Sequence, residues 1–314
     1  MAENITDQNE VEIVSEDRDC TVYRIQGENG DVLMTGYRVF PGVELIYNDV
    51  HTQFCNAGLQ RGGRFLEINH CREGRIEVAF QNEYFYLEPG DLAIAGKDGS
   101  GHESYFPTSH YHGISIAIDL DHAPDCFTEI LDDVDVSPNR LAEKFCSTSG
   151  CFVMRADSSI DHVFSELYSV RDYIRRGYFK VKVLELLLFL SGIETNQAEI
   201  EQRLYTPSQV QLAKRACRFI TEHLSEKITI EHLSDLFSVS PTQLKNCFRG
   251  VYGMTVYSYI RSQKMHAAAR LLHNSDRTVL DIAGEFGYDN GSKFAQAFKD
   301  VMGMTPNEYR TTKA

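Results

Sequence analysis

A pattern written twice near the end of the chain constrains its fold more than any other feature. Leu233, Phe237, Val239, Leu244, Phe248, the tripeptide Gly253-Met254-Thr255 and Tyr259 recur as Ile282, Phe286, Tyr288, Phe294, Phe298, Gly303-Met304-Thr305 and Tyr309. The offset is 49 residues before the central turn and 50 after it, which puts one inserted residue near Asp289. A repeat of about fifty residues has the length of a supersecondary unit, so the spacing predicts two tandem helix-turn-helix units. Each opens with a short helix, Ile230 to Phe237 and Val279 to Phe286, whose apolar residues fall four apart and leave one stripe to bury. A small residue, Ser234 or Ala283, follows the first apolar anchor, where steeply crossing helices leave little room. Gly287 suits the turn after the second of these helices, whereas Ser238 in the first is a departure. Ser240-Pro241-Thr242-Gln243 then places an N-cap serine, a proline at N1 and a glutamine at N3, a strong signal for a helix start.

These residues resemble the DNA-binding region of the AraC/XylS family of bacterial transcription regulators. The second copy carries the more specific signature: Lys264-Met265, Ala268, Leu272, Ile282-Ala283, Gly287-Tyr288, Phe294, Phe298 and Gly303-Met304-Thr305-Pro306. The resemblance runs from about Pro207 to Arg310, a third of the chain. Lys264 stands where the family usually has arginine, and Val256 where the second copy has Pro306; lysine keeps the charge and valine can still open a helix. The resemblance implies a sequence-specific transcription regulator, an activator more often than a repressor. It further implies a double-stranded DNA operator, RNA polymerase as a partner, a small-molecule effector of unknown identity and a homodimer.

In such a unit the second helix enters the major groove, and its exposed N-terminal residues reach base edges. With Leu244 and Phe248 turned to the core, Thr242, Gln243, Lys245, Asn246 and Arg249 lie on the exposed arc of the first recognition helix. Phe294 and Phe298 likewise leave Ser292, Lys293, Gln296 and Lys299 on the second. Lysine can donate to guanine and Gln or Asn can pair with adenine, while Arg249 and Lys299 are placed to reach phosphates. A merely solvated face would also be polar. Between the units a helix from about Val256 to Leu272, capped by Thr255, is about 25 Å long. That length suits two recognition helices set near one DNA turn apart.

The net charge of −14 at first speaks against DNA. It divides unevenly: residues 206–314 hold 14 Lys+Arg against 10 Asp+Glu, or +4, and residues 1–205 hold 17 against 35, or −18. Acidic repulsion from the front argues against non-specific coating of DNA, while the positive back permits a site-directed contact. Met1 to Asn9 is polar and acidic, unlike a signal peptide, and the apolar stretch from Val181 to Ile193 is broken by Lys182 and Glu185 and too short for a bilayer. A cytoplasmic protein is expected, with no membrane partner. Eight cysteines without a Cys-x-x-Cys pair suggest reduced, structural thiols rather than a zinc cage.

From about Val11 to Phe152 the chain reads as strands, among them Thr21 to Gln26, Phe65 to Cys71, Ile76 to Phe80, Tyr84 to Leu87 and Gly113 to Asp119. The turn Glu88-Pro89-Gly90-Asp91 after an aromatic strand resembles the cupin-like barrels at the front of many AraC/XylS members. In the last strand His110, His112, Ile114, Ile116 and Ile118 share one parity, so isoleucines facing a barrel interior would bring both histidines with them. With His102 they could bind a metal, line a site for an organic ligand or sit at the barrel mouth. The usual cupin metal motif is absent upstream, where only Glu67, Asn69 and His70 lie, so neither metal nor cofactor is expected. Effector candidates are Arg64, Glu67, Asn69, His102, His110 and His112.

Two helices follow. Asp157-Ser158-Ser159 can cap the first, whose apolar face runs from Ile160 to Ile174. The second, Phe179 to Ile193, is apolar on more than one side and reads as buried on several faces. The hairpin either folds back on the barrel or, as the resemblance implies, pairs two subunits. The resulting expectation is an α+β chain of two domains. An antiparallel cupin-like β-barrel that binds effector (residues 1–156) carries a helical dimerisation hairpin (157–193). A linker (194–206) leads to an all-α DNA-binding domain of two helix-turn-helix units (207–314). No enzyme is expected. The competing readings are a cupin-type metalloenzyme fused to a targeting module, and a regulator controlled by a protein partner.

Overall fold

In the computed structural model, residues 11–27, 30–55, 63–80, 82–97, 104–125, 127, 136–146, 151–155, 158–194 and 204–312 are described. The chain divides into two compact units, 1–204 and 205–314.

Alternating β-branched and aromatic residues build the first unit. Strands β1 (Val11–Glu16), β2 (Cys20–Gly27), β3 (Gly30–Phe40) and β4 (Val43–Val50) form a meander. After β5 (Phe54–Cys55) come β6 (Phe65–Gly74), β7 (Ile76–Phe80), β8 (Glu83–Leu87), β9 (Leu92–Lys97), β10 (Ser104–Tyr105), β11 (Tyr111–Asp119) and β12 (Cys151–Met154). Eight strands make one antiparallel sheet in the order β1-β2-β3-β4-β11-β6-β9-β12, while β5 pairs with β10 and β7 with β8. The main sheet has two ends, β1 and β12, so its hydrogen bonding does not close on itself as the barrel expectation required. It has no need to: side chains from the small pairs, Phe85 and Leu87 with Cys55, bury one face by packing.

The register sorts the two faces. Leu45, Ile116, Ile68, Ile94 and Phe152 are successive cross-strand neighbours, and so are Ile46, Ser115, Asn69, Ala93 and Val153. The first row lies in a core with residues of three helices, α1 (Pro138–Cys146), α2 (Ser158–Leu167) and α3 (Arg175–Gly192). Phe164, Val183, Leu186 and Leu187 there are almost wholly buried, each contributing about 1.5–3 kcal/mol. The isoleucines of β11 therefore face helices, not a barrel interior. Alternation names two faces, but both are apolar enough to be buried, and the helices take the more aliphatic one.

Three other expectations change. The strand-rich reading to Phe152 missed α1, whose Leu141 and Phe145 join the helix-side core. The helix α2 ends at Leu167 rather than Ile174, which lies in a 3-10 turn (Asp172–Ile174) and is 43% exposed. The helix α3 is buried on one face only, through Phe179, Val183, Leu186, Leu187 and Leu190. Asp157 and most of the expected linker lie outside the described residues.

The second unit is all helix: α4 (Pro207–Glu222), α5 (Ile230–Phe237), α6 (Pro241–Tyr252), α7 (Val256–Asn274), α8 (Val279–Glu285), α9 (Gly291–Met302) and α10 (Pro306–Thr311). Thr206 and Gln209 close a capping box on α4. The duplication extends to an aromatic contact in each core. Phe248 meets Tyr259 edge-on at 5.4 Å, and fifty residues on Phe298 meets Tyr309 at 5.6 Å in the same manner. The inserted residue falls in the turn. Ser238 and Val239 lead to the N-cap Ser240 in the first unit, and Gly287, Tyr288 and Asp289 lead to the N-cap Asn290 in the second.

Candidate nucleic-acid interface

Each recognition helix is held by its own start and stop. The Ser240 hydroxyl accepts from the Gln243 N–H at 3.1 Å, and Asn290 Oδ1 accepts from Ser292 and Lys293 N–H at 2.8 and 3.2 Å. Gly253 and Gly303 end α6 and α9 in the left-handed region, at φ 73° and 78°, where a side chain would be strained. Leu244, Cys247 and Phe248 anchor α6 in the core, and Phe294, Ala297 and Phe298 anchor α9. All nine expected contact residues are exposed: Thr242, Gln243, Lys245, Asn246 and Arg249 on α6, and Ser292, Lys293, Gln296 and Lys299 on α9. One is already engaged. The Gln296 amide donates to Asp300 Oδ1 at 2.6 Å, and Asp300 pairs with Arg261 of α7. Gln296 first, and Arg261 with it, holds the Asp300 carboxyl below its usual range.

The connecting helix α7 has 19 residues, about 28 Å. Its N-cap is Thr255, whose hydroxyl accepts from the Ser258 N–H at 3.1 Å. Midway along it, Lys264 donates to the Phe286 carbonyl at 2.9 Å, setting a positive charge on the end of α8, and burial lowers its pKa.

The five described effector candidates of the first unit do not converge on one site. Arg64 is a surface residue, its side chain 68% exposed and paired with Asp121 at 3.1 Å. Glu67 and Asn69 lie half-buried on the sheet face opposite the helices. Asn69 Oδ1 accepts from the Tyr111 hydroxyl at 2.7 Å and from Ser115 Oγ at 3.4 Å, and Ser115 Oγ accepts from Asn48 at 2.9 Å. This polar chain crosses an otherwise apolar face beside Met34, Ile46 and Ala93. His110 and His112 share the parity of Ile114 and stand on the helix-facing side. There they meet His51, whose ring lies 5.6 Å from each of theirs. Reading strands singly missed both His51 and Asp49, because only the pairing of β4 with β11 brings them to the other two histidines. His102 lies outside the described residues. The seven described cysteines are free thiols, and no helix among the described residues is long and apolar enough to cross a membrane.

Comparison with known proteins bears on the second unit. The helix-turn-helix domain family matches residues 233–312. The chain is 33% identical over 92 residues to the bifunctional transcriptional activator/DNA repair enzyme AdaA of Bacillus subtilis (strain 168), covering 29% of this chain and 44% of that protein. It is 27% identical over 160 residues to the arabinose operon regulatory protein of Salmonella typhimurium, covering 50% and 56%. It is 27% identical over 108 residues to the HTH-type transcriptional activator AarP of Providencia stuartii, covering 34% and 80%. The chain thus spans about half the length of the first two relatives. These relatives are mainly transcription regulators. The repeated and doubly capped units, read with these matches, make the C-terminal region of this chain a helix-turn-helix domain of the AraC type.

Proposed function

We propose that the chain is a sequence-specific DNA-binding transcription regulator, an activator that responds to a small-molecule effector and works in the cytoplasm. The observation that carries this reading is the pair of capped helices, α6 and α9, each anchored by two aromatic or aliphatic residues and turning a polar, cationic arc to solvent. Lys245, Asn246, Lys293 and Gln296 read bases, and Gln296 must leave Asp300 to do so. Thr242, Gln243 and Ser292 border the groove, and Arg249 and Lys299 hold phosphates. The α7 length supports two successive major-groove contacts by one subunit.

The first unit, residues 1–156 in this reading, has a cupin-like architecture that takes up the effector, an organic molecule with hydrogen-bonding groups. The polar chain Asn48, Ser115, Asn69 and Tyr111, with Glu67 nearby, supports the face opposite the helices as its place. Residues 157–193 join two subunits, residues 194–206 link the domains, and residues 207–314 bind the operator and meet RNA polymerase. AdaA combines an activator with a DNA repair enzyme; for this chain we propose regulation without catalysis.

The test is selection of DNA from a random pool by the full chain, followed by titration of alanine variants against single-base changes in the selected site at two salt concentrations. Loss of a base-reading side chain costs about 1–3 kcal/mol at one position and relaxes discrimination there. Loss of Arg249 or Lys299 weakens all sequences alike and lowers the salt slope by about one unit. If no sequence is enriched, the reading fails. If Arg249→Ala alters base preference while Asn246→Ala and Gln296→Ala do not, the helices are rotated in the groove.

A further inference from the structure

The strands β4 and β11 run antiparallel with His112 opposite Asp49 and Tyr111 opposite Val50. Continuing that register one residue sets His110 across from His51. Side chains two apart on a strand share a face, and directly opposed positions have Cβ atoms about 4.5–5.5 Å apart. Asp49, His51, His110 and His112 therefore form a square on one face at the end of the sheet, built by register alone. The ligating atoms of the three histidines lie within 4.8 Å of one another. His51 Nε2 and His112 Nε2 each approach Asp49 Oδ1 to 2.8 Å. His110 Nε2 is 3.5 Å from Glu73 Oε2 on β6, the other neighbour of β11.

Two details turn the cluster into a site. Asp49 Oδ1 and His112 Nε2 are themselves buried and lie 2.8 Å apart, at ion-pair distance but without the alignment of a hydrogen bond. The His51 ring at the other side of the square is exposed, which leaves an entry path. Three imidazoles and a carboxylate in this compass match the donors of a tetrahedral zinc-type site, in which bonds of about 2.0–2.2 Å set ligand atoms about 3.4 Å apart. Nitrogen donors in the majority select against calcium and magnesium, which prefer all-oxygen shells, and the lack of sulfur selects against Cu(I).

We infer that His51, His110, His112 and Asp49 bind one divalent first-row transition ion of the zinc type, against the expectation of no metal. Glu73 is the outer partner of His110, steadying its ring. The site lies wholly within the first unit and owes nothing to DNA binding, so the two readings stand or fall separately.

The experiment uses the full chain, purified without a histidine tag, dialysed against a chelator and titrated with Co2+ alone. One equivalent binds per chain with visible ligand-field bands, and Zn2+ displaces it. His112→Ala, His51→Ala and Asp49→Asn each weaken the ion by at least about tenfold, the least loss expected when even an outer partner is removed. His122→Ala, at a histidine paired with Asp119 away from the cluster, leaves affinity unchanged. Circular dichroism establishes that each variant is folded; should His112→Ala fail to fold, the exposed His51 carries the comparison. Binding well under one ion per chain overturns the inference. So does affinity that the His51 and Asp49 variants leave unaltered, or that His122→Ala reduces equally.

Discussion

His70 lies flat on Phe164, with ring centroids 4.1 Å apart and planes 5° from parallel, and is 4% exposed. Its Nδ1 is 3.4 Å from the Tyr168 hydroxyl and its Nε2 is buried without a partner. Burial lowers its pKa from the ordinary 6.5 to about 4. The folded chain therefore refuses a proton that the unfolded chain accepts. Its neutral form contributes fully above pH 6.5, and stability falls as the pH drops from there to about 4, by on the order of 3 kcal/mol. We expect urea midpoints of the wild type to fall over this window more steeply than those of His70→Phe; parallel curves would show that the ring titrates normally. Ser238 is the other residue-scale anomaly. It adopts φ 54° where its counterpart Gly287 adopts φ 79°, so the turn demands the left-handed region in both units and serine accepts a penalty of about 1–2 kcal/mol in the first.

Among the elements, α3 leaves apolar side chains uncovered. One face is sealed into the helix-side core, but Val181 is 61% and Leu188 42% exposed, two helical turns apart on the other. Lys182, near the middle, is buried and paired with Glu166 at 2.8 Å and Glu185 at 2.6 Å, which neutralises the Glu185 carboxylate lying between Val181 and Leu188. The two exposed apolar side chains support the proposed pairing of subunits through this helix. Val181→Asp with Leu188→Asp is expected to convert a dimer to a monomer in sedimentation with unchanged helix content, since neither side chain belongs to the buried face. A double variant that remains dimeric would move the interface elsewhere.

For the whole molecule, the charge division of −18 and +4 implies two halves with opposite attitudes to DNA. Residues 205–314 form a compact unit with a core of their own, including Met265, Leu272, Ile282, Phe294 and Phe298. Expressed alone, this unit is expected to fold and to bind the selected operator as a monomer, more weakly than the full chain because the second contact is no longer intramolecular. Gel shifts and sedimentation check it. A fragment that dimerises tightly while residues 1–195 stay monomeric would contradict the assignment of pairing to the first unit.

What the sequence determined by itself was local. The doubled helix-turn-helix was legible because helical period, caps and turn residues are set within a few positions, and each copy buries the same stripe, Leu244 and Phe248 or Phe294 and Phe298. The inserted residue near Asp289 was legible for the same reason. Tertiary structure alone decided the front unit's functional geometry. Alternation in β11 separated Ile116 from Ser115 but could not say which side the helices cover, since both faces of this sheet are buried. Nor could it find the metal square, because His51 and Asp49 reach His110 and His112 only through the register of two strands about sixty residues apart. A strand's own sequence fixes which residues share a face, but which face meets which neighbour is a property of the assembled sheet.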